Sequence, residues 1–105
     1  MVSLPVQGEV WWAEAADKRR PVLVCTRSEA IAVLNAIVVA PVTRTVRGIP
    51  SEVSLGPDEG LEHECAASFD NLQTVPRSAL TSRVGALGAH RHRDLCDALR
   101  AMSDC

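Results

Sequence analysis

The sequence predicts a mainly β protein of the α+β class, with five to seven short strands bent into a small barrel and one helix at the C-terminus. Apolar runs rich in β-branched residues recur between residues 8 and 87, separated by Gly, Pro and charged residues. Beyond residue 90 the apolar residues recur at helical spacing instead. A length of 105 residues suffices for one such core and not for two, so we expect a single domain over residues 1–105.

The composition is that of an ordinary globular chain, with 47% hydrophobic and 23% charged residues. The longest apolar stretch, Ala36 to Val42, is far shorter than the roughly 20 residues of a membrane span. Residues 1–12 lack the basic and apolar regions of a signal peptide. We therefore expect a cytoplasmic protein with no membrane partner and with reduced cysteines. The cysteines and histidines lack the spacing of a zinc site, so no metal or other cofactor is expected.

The first part of the chain contains two predicted strands. Gly8 to Ala13 is rich in residues that suit a pleated surface, and Pro21 to Thr26 is a compact apolar run that begins with a tolerated proline. The polar segment from Glu14 to Arg20 is predicted to be a loop. Arg27 to Leu34 fits either a loop with a helical turn or the start of the next strand.

The middle of the chain contains the strand with the strongest signal of burial, Ala36 to Thr43. Its β-branched residues favour a central position in a sheet. A basic turn, Arg44 to Pro50, follows it. Residues 51–55 alternate polar and apolar side chains like a half-exposed strand, and Gly56 to Gly60 has the composition of a turn.

The next segments are short. Cys65 to Phe69 and Leu72 to Val75 predict either one interrupted strand or two separate strands. Pro76 to Leu80 fits a helical turn, and Arg83 to Leu87 fits a last strand.

The C-terminal segment has a helical period. Leu95, Leu99 and Met102 recur at this spacing, with charged residues on the other faces. They predict a helix of about 12–14 residues that begins near His90. Strands followed by one helix indicate a strongly bent barrel with the helix laid against it.

The net charge of −2 is unevenly distributed. Residues 1–50 contain six basic and four acidic residues, residues 51–70 six acidic residues and no Lys or Arg, and residues 71–105 five basic and three acidic residues. Such a pattern is compatible with a basic face and an acidic face. Charges scattered over a solvated surface are the alternative.

Several motifs occur in an order that resembles the MazF/PemK family of toxin–antitoxin ribonucleases. They are the G-E-V-W-W of Gly8 to Trp12, the R-P-V-L-V of Arg20 to Val24, the V-A-P-V-T of Val39 to Thr43, and the S-R-V-G of Ser82 to Gly85. Asp70 to Thr74 is a modified match to a fifth motif, with Asn in place of the usual Gln. Each motif is weak alone, but their common order makes the resemblance specific.

The resemblance implies an SH3-like barrel, as in the CcdB and MazF toxins, that forms a homodimer. It implies a sequence-specific endoribonuclease that cleaves single-stranded RNA without a metal and is neutralised by a cognate antitoxin. The products are a 2′,3′-cyclic phosphate and a 5′-hydroxyl, and the RNA cut is mRNA, tRNA or rRNA. The catalytic arginine and threonine of the family correspond to Arg20 and Thr43. Their chemistry agrees, because a guanidinium and a hydroxyl both stabilise charge that gathers on phosphate oxygens.

Further residues near the motifs are predicted to contact RNA. Trp11 and Trp12 point to opposite faces of a regular strand, so we expect one to be exposed and able to stack on a base, with surface or interface packing as the alternative. Glu14 is close in sequence to Arg20 and is a candidate to orient it or to accept a proton. The predicted RNA-binding residues are Trp11, Glu14, Lys18, Arg19, Arg44, Asn71 and Gln73. The histidines match no family motif, so the general base is not assigned.

Two other functions are alternatives to RNA cleavage. One is a non-catalytic toxin of the same fold that acts on DNA gyrase, as CcdB does. The family pattern for that function ends in a Trp-Gly-Ile-like sequence, whereas this sequence ends Met102-Ser103-Asp104-Cys105. The other is a barrel that only binds a nucleic acid or a peptide. The presence of both Arg20 and Thr43 disfavours it.

Overall fold

The computed structural model describes residues 4–15 and 18–104, and most of its regular secondary structure is β-strand. The strands are β1 (Glu9–Ala15), β2 (Lys18–Val24), β3 (Ala36–Thr43), β4 (Glu52–Leu55), β5 (Cys65–Ser68), β6 (Gln73–Pro76) and β7 (Leu80–Ala86). The helices are α1 (Ser28–Ile31) and α2 (His92–Met102), and single 3-10 turns lie at Pro57–Glu59, Phe69–Asn71, Arg77–Ala79 and Ala89–Arg91. The mainly β fold with a C-terminal helix is confirmed.

The strands form a curled antiparallel sheet in which β3 has three neighbours. Across the described residues the order is β4-β5-β3-β2-β1-β7, and β6 also pairs with β3. Residues 36–39 of β3 pair with β6, whereas Val42 and Thr43 pair with β5. β5 and β6 therefore occupy successive stretches of β3, separated by the turn Phe69–Asn71. Residues 65–76 thus form two separate strands, which is one of the two alternatives that the sequence predicts for this region.

Both faces of the central strands are buried, in two apolar clusters. Successive residues of β1 enter different clusters, Val10 one and Trp11 the other, as the alternation of a strand requires. Leu95 and Ala98 of α2 are buried in the cluster that contains Val10. The C-terminal helix therefore closes one face of the sheet, as its period predicts.

Cys25 and Cys65 are core residues. Both thiols are buried, and burial raises the pKa of Cys25 to about 12. Cys96 is exposed and also free, and Cys105 lies outside the described residues. No described helix has the length and apolar content that crossing a membrane requires.

The predicted loop between the first two strands is wrong, because these residues continue the β1–β2 hairpin. Glu14 pairs with Arg19 and Ala15 with Lys18. Backbone hydrogen bonds hold this end of the hairpin, while the side chains of Glu14, Lys18 and Arg19 are exposed. Exposed polar side chains on a two-stranded ribbon have the composition of a loop, which explains the error.

Two smaller boundaries also differ from prediction. The ambiguous segment after β2 forms the one-turn helix α1, in which Ile31 is fully buried. β7 begins at Leu80 instead of Arg83, because its first residues pair with the extended β1. The longer β1–β2 hairpin and the longer β7 extend the part of the sheet that borders Arg20.

Candidate active site

Arg20 and Thr43 lie where β2 and β3 separate. The pairing of the two strands ends at Val22 and Pro41. Pro41 has no N–H with which to continue the ladder, and beyond it Val42 and Thr43 pair with β5 on the opposite edge of β3. Continuing the β2–β3 register by two residues places Arg20 opposite Thr43, on the same face of the sheet. The divergence of two strands thus opens a site between the two predicted catalytic residues.

A cavity of about 350 Å³ occupies this opening, and we call it the Arg20–Thr43 cavity. Its lining residues are Arg20, Pro41, Val42, Thr43, Arg47, Ser68, Asn71 and Gln73. Four of the residues predicted from sequence therefore meet in one place, although they come from β2, β3, β6 and the turn after β5.

The positive charge of Arg20 and Arg47 in the Arg20–Thr43 cavity is not balanced by a carboxylate of the described residues. No acidic side chain lines the cavity within the described chain. Neither Arg20 nor Arg47 forms an ion pair with a carboxylate in residues 4–15 and 18–104. Two guanidiniums without ion-pair partners, two hydroxyls and two side-chain amides favour an anion with several oxygen acceptors, such as a phosphodiester.

The Thr43 hydroxyl is oriented by the chain that follows it. Its Oγ1 accepts a hydrogen bond from the backbone N–H of Thr45, at 3.1 Å. A hydroxyl has one proton to donate and two lone pairs to accept. Because this contact uses a lone pair, the Thr43 proton is available to donate to a phosphate oxygen.

A second cavity of about 520 Å³ adjoins the first, and we call it the Trp12 cavity. Arg20 and Val42 line both cavities, so the two cavities adjoin at these residues, and we call the two together the groove. The other lining residues are Trp12, Arg19, Pro21, Arg44, Gly60, Leu61, Glu62, His63, Cys65 and Val84. The volume lies within the range of about 300–1,000 Å³ that is typical of small-ligand sites.

The exposed tryptophan of the pair is Trp12, so the assignment of Trp11 as an RNA contact is corrected. Trp11 is 5% exposed and its indole N–H donates to Glu9, which leaves no free ring face for a base. Trp12 is half-buried and lies under the Arg19 guanidinium, whose central carbon is 4.4 Å from the ring centroid. Ser82 holds Arg19 there through a 3.4 Å hydrogen bond. The result is a cation–π pair on one wall of the Trp12 cavity.

The remaining predicted residues divide between the groove and its surroundings. Arg19 and Arg44 line the Trp12 cavity, and Asn71 and Gln73 line the Arg20–Thr43 cavity. Asn71 donates to the Ser68 hydroxyl at 2.9 Å. Glu14 and Lys18 are exposed on the hairpin and line neither cavity.

Arg47, Glu62 and His63 line the groove but were not predicted from the sequence. Arg47 lies in the basic turn after β3, and the cluster of arginines that follows Thr43 was a usable signal. Glu62 and His63 are brought to the Trp12 cavity by the turn at Gly60, which adopts φ 90°. A Cβ at Gly60 would lie 2.5 Å from the carbonyl oxygen of Val84, so this turn packs closely on β7. Only the tertiary contact with β7 places these residues in the groove.

The groove can bind a phosphodiester and stabilise added negative charge on it. Arg20 and Thr43 place a cation and a neutral donor in the same cavity, which is the arrangement that oxyanion stabilisation needs. The described residues contain no group of three or more His, Cys, Asp or Glu with metal-binding geometry.

The model of a PemK-like, MazF-like toxin family of type II toxin–antitoxin systems matches residues 6–103. A relative from Mycobacterium tuberculosis, described as probable endoribonuclease MazF5, is 42% identical over 107 aligned positions that cover 100% of this chain and 98% of the relative.

Solved structures of toxins have the same fold. Mycobacterium tuberculosis toxin MazF-mt6 is 36% identical, with a TM-score of 0.84 over 91% of this chain and 96% of that one. A mycobacterial endoribonuclease solved with its cognate antitoxin has a TM-score of 0.81 over 93% of each chain, and at 22% identity it shows the fold alone. The chain belongs to the PemK-like, MazF-like toxin family of type II toxin–antitoxin systems.

Proposed function

We propose that the protein is an endoribonuclease toxin that cleaves single-stranded RNA at the Arg20–Thr43 cavity. The observation that carries the proposal is the presence of two groups in one cavity. They are the Arg20 guanidinium, which has no ion-pair partner in the described chain, and the Thr43 hydroxyl, whose proton is available, and no described carboxylate lines the cavity. Membership of the toxin family and the endoribonuclease names of relatives support the same activity. We infer that the 105 residues act as one toxin domain.

The proposed reaction is a transesterification within the RNA. The 2′-oxygen forms a bond to the adjacent phosphorus, and the bond from phosphorus to the 5′-oxygen breaks. The 2′-hydroxyl loses its proton to solvent and the departing 5′-oxygen gains one, which leaves a 2′,3′-cyclic phosphate and a 5′-hydroxyl. Arg20 and Thr43 donate to the nonbridging oxygens, on which charge increases in the transition state.

The rest of the groove binds the neighbouring nucleotides. The Trp12–Arg19 pair offers a flat, cationic surface on which an unpaired base can stack. Arg44 adds positive charge to that side, while Asn71 and Gln73 present amides that can hydrogen-bond to base edges. Glu14 and Lys18 are proposed to contact RNA that extends beyond the groove along the hairpin.

The partners follow from the family. We propose a homodimer that a separately encoded antitoxin neutralises in the cytoplasm. An acidic antitoxin segment would cover the unpaired arginines of the groove and exclude RNA by direct competition. Association is then expected to be faster at low salt, since exposed arginines attract an acidic segment over longer distances there.

The test is incubation of the purified protein with a mixed-sequence RNA in excess EDTA, followed by mapping of the cut ends. We expect cleavage at a defined sequence with cyclic phosphate ends, since no described carboxylate lines the Arg20–Thr43 cavity. Strict dependence on added Mg²⁺ or Mn²⁺ would contradict the mechanism. Intact RNA together with inhibition of DNA gyrase would favour the alternative toxin, and RNA binding without cleavage the binding module.

A further inference from the structure

The turn between β3 and β4 brings a second arginine into the Arg20–Thr43 cavity. We propose that Arg47 binds a backbone phosphate next to the scissile one, and that Glu52 is the residue that positions it. This inference rests on the proposed function, because its ligand is the RNA backbone.

Glu52 holds the turn through its carboxylate. Oε1 accepts from the backbone N–H of Arg47 at 3.1 Å and of Gly48 at 3.0 Å. The Glu52 N–H donates to the carbonyl of Ile49 at 3.1 Å, and Gly48 adopts φ 68° to complete the turn. Hydrogen bonds to an ionised carboxylate are stronger than neutral ones. The carboxylate therefore fixes the backbone from which the Arg47 side chain extends.

The base of the turn is attached to the opposite wall of the cavity. Glu52 pairs with Ser68, a residue that lines the Arg20–Thr43 cavity. Beside this pair the Ser51 hydroxyl contacts Asp70 at 2.6 Å, and the Phe69 N–H donates to the Ser51 carbonyl at 3.0 Å. The segment that precedes Asn71 and the turn that carries Arg47 are thus parts of one hydrogen-bonded frame.

The position of Arg47 indicates which phosphate it binds. Arg20 lines both cavities and so lies where they adjoin, whereas Arg47 lines only the Arg20–Thr43 cavity. The guanidinium of Arg47 forms no ion pair with a carboxylate in the described chain. An RNA strand that places its scissile phosphate at Arg20 and Thr43 would present a neighbouring phosphate to Arg47. Such a contact acts on RNA binding more than on the chemical step.

The sign of the Glu52 effect separates positioning from simple electrostatics. The Glu52 carboxylate is a negative charge close to a site for a polyanion. Its removal would strengthen RNA binding if only long-range charge mattered. Its removal would weaken RNA binding if the carboxylate keeps Arg47 in place.

The experiment measures binding of an RNA that carries a 2′-deoxy sugar at the mapped cut site, together with KM and kcat on the cleavable RNA. We expect Arg47→Gln to weaken binding and raise KM about ten- to hundredfold with a smaller change in kcat. The slope of log binding constant against log salt concentration should fall by about 0.7 for one lost phosphate contact. Arg47→Lys should restore part of the affinity. Arg93→Gln, a matched loss of charge on the exposed face of α2, should change neither quantity.

Glu52 is tested in the same assays. Glu52→Ala should weaken binding in the wild-type background and have little effect in the Arg47→Gln background, because both substitutions remove the same contact between Arg47 and a phosphate. Glu52→Gln keeps an acceptor oxygen and should be intermediate. Asp58→Asn is the control for the loss of an exposed negative charge, and it should leave binding unchanged or slightly tighter. Thermal melts on every variant establish that each is folded at the assay temperature.

Three results would overturn the inference: an unchanged salt slope in Arg47→Gln, tighter binding in Glu52→Ala, or additive losses in the double variant. Failure of the proposed function looks different. In that case the wild-type protein leaves the cleavable RNA intact, whatever Arg47 contributes to binding. Wild-type cleavage with unchanged kinetics in Arg47→Gln contradicts only the role of Arg47.

Discussion

Two cavities of this protein contain arginine in opposite circumstances. In the Arg20–Thr43 cavity the arginines lack ion-pair partners within the described chain. A larger cavity of about 760 Å³ lies between β4, the turn at Pro57–Glu59 and the start of α2. We call it the acidic cavity, because Asp58, Glu59 and Glu64 line it together with Arg91.

The arginine of the acidic cavity has two carboxylate partners and one carbonyl partner. Arg91 donates to the carbonyl of Ser54 at 2.8 Å, to Asp94 at 2.9 Å and to Glu59 at 3.4 Å. The other carboxylate oxygen of Glu59 accepts from the Gly56 N–H at 2.7 Å, and Glu59 is 6% exposed. These contacts attach the start of α2 to β4 and to the turn after it.

The difference between the cavities indicates two different roles for arginine. An arginine whose donors are satisfied by carboxylate and carbonyl oxygens stabilises the fold. An arginine with unsatisfied donors in a cavity without carboxylates is available for a ligand. This criterion depends on partners, not on exposure or on the count of arginines.

The largest expected effect is at Arg20. Arg20→Ala removes the cation that meets charge on the phosphate oxygens, so kcat/KM should fall by about 10²–10³. Arg20→Lys should restore little, because a point charge does not reproduce the planar guanidinium. The measurement is the initial cleavage rate on a mapped RNA site. Wild-type cleavage by a folded Arg20→Ala variant would show that an unpaired arginine in this cavity is not catalytic.

The matched change in the acidic cavity should have the opposite profile. Arg91→Ala leaves Glu59 without its cationic partner, and we expect the free energy of unfolding to fall by about 1–3 kcal/mol. Cleavage at a temperature where the variant remains folded should stay within about twofold of wild type, because the residue contributes only to stability. Urea unfolding and the RNA assay give the two values. A folded Arg91→Ala protein with strongly reduced cleavage would break the distinction between the cavities.

A smaller effect on cleavage is expected at Thr43. Thr43→Ala removes a neutral donor, so the rate should fall by about three- to tenfold, less than for the loss of the guanidinium. Thr43→Ser should recover most of the rate, since it retains the hydroxyl. The Arg20→Ala, Thr43→Ala double variant should lose less than the sum of the two free energies, because both residues act on one transition state. Full additivity would indicate that the two do not share a phosphate.

The smallest expected effect concerns a third arginine, Arg83, which is paired with Glu9 at 2.7 Å. Burial raises the pKa of Glu9, but hydrogen bonds from Trp11, Arg83 and the Val6 N–H, with the charge of Arg83, leave it lower than usual. Because the folded protein then binds the proton less readily than the unfolded chain, this stability is present above the unfolded pKa of 4.5 and is lost as the pH falls through the folded value. The contribution should not exceed about 1 kcal/mol, since Arg83 is largely exposed.

The measurement for Glu9 is urea unfolding at a series of pH values between 7 and 3. The wild-type protein should lose more stability over this interval than Glu9→Gln, which cannot titrate there. Parallel losses in the two proteins would contradict the assignment.

The sequence by itself determined the mainly β class and the order of the elements, and its resemblance to a toxin family predicted the pair Arg20 and Thr43. Strand period, β-branched content and proline positions are local properties, so they can be recognised in short stretches of sequence. Arg20 begins one family motif and Thr43 ends another, and both line one cavity. The end of the hairpin around Glu14 was not predicted, because strand pairing depends on two segments of the chain at once. Its exposed side chains are polar and lack the alternation of apolar and polar residues that marks a strand.

Only the tertiary structure decided which tryptophan faces the groove and which arginines share it. Trp11 and Trp12 alternate on a strand whose two faces are not distinguishable in the sequence, and packing within one of the two apolar clusters buries Trp11. Arg47 joins Arg20 because the pairing of β2 with β3 ends at Pro41, while Glu52 closes the turn that follows β3. These relations connect residues far apart in the chain, and they exist only once the sheet has curled.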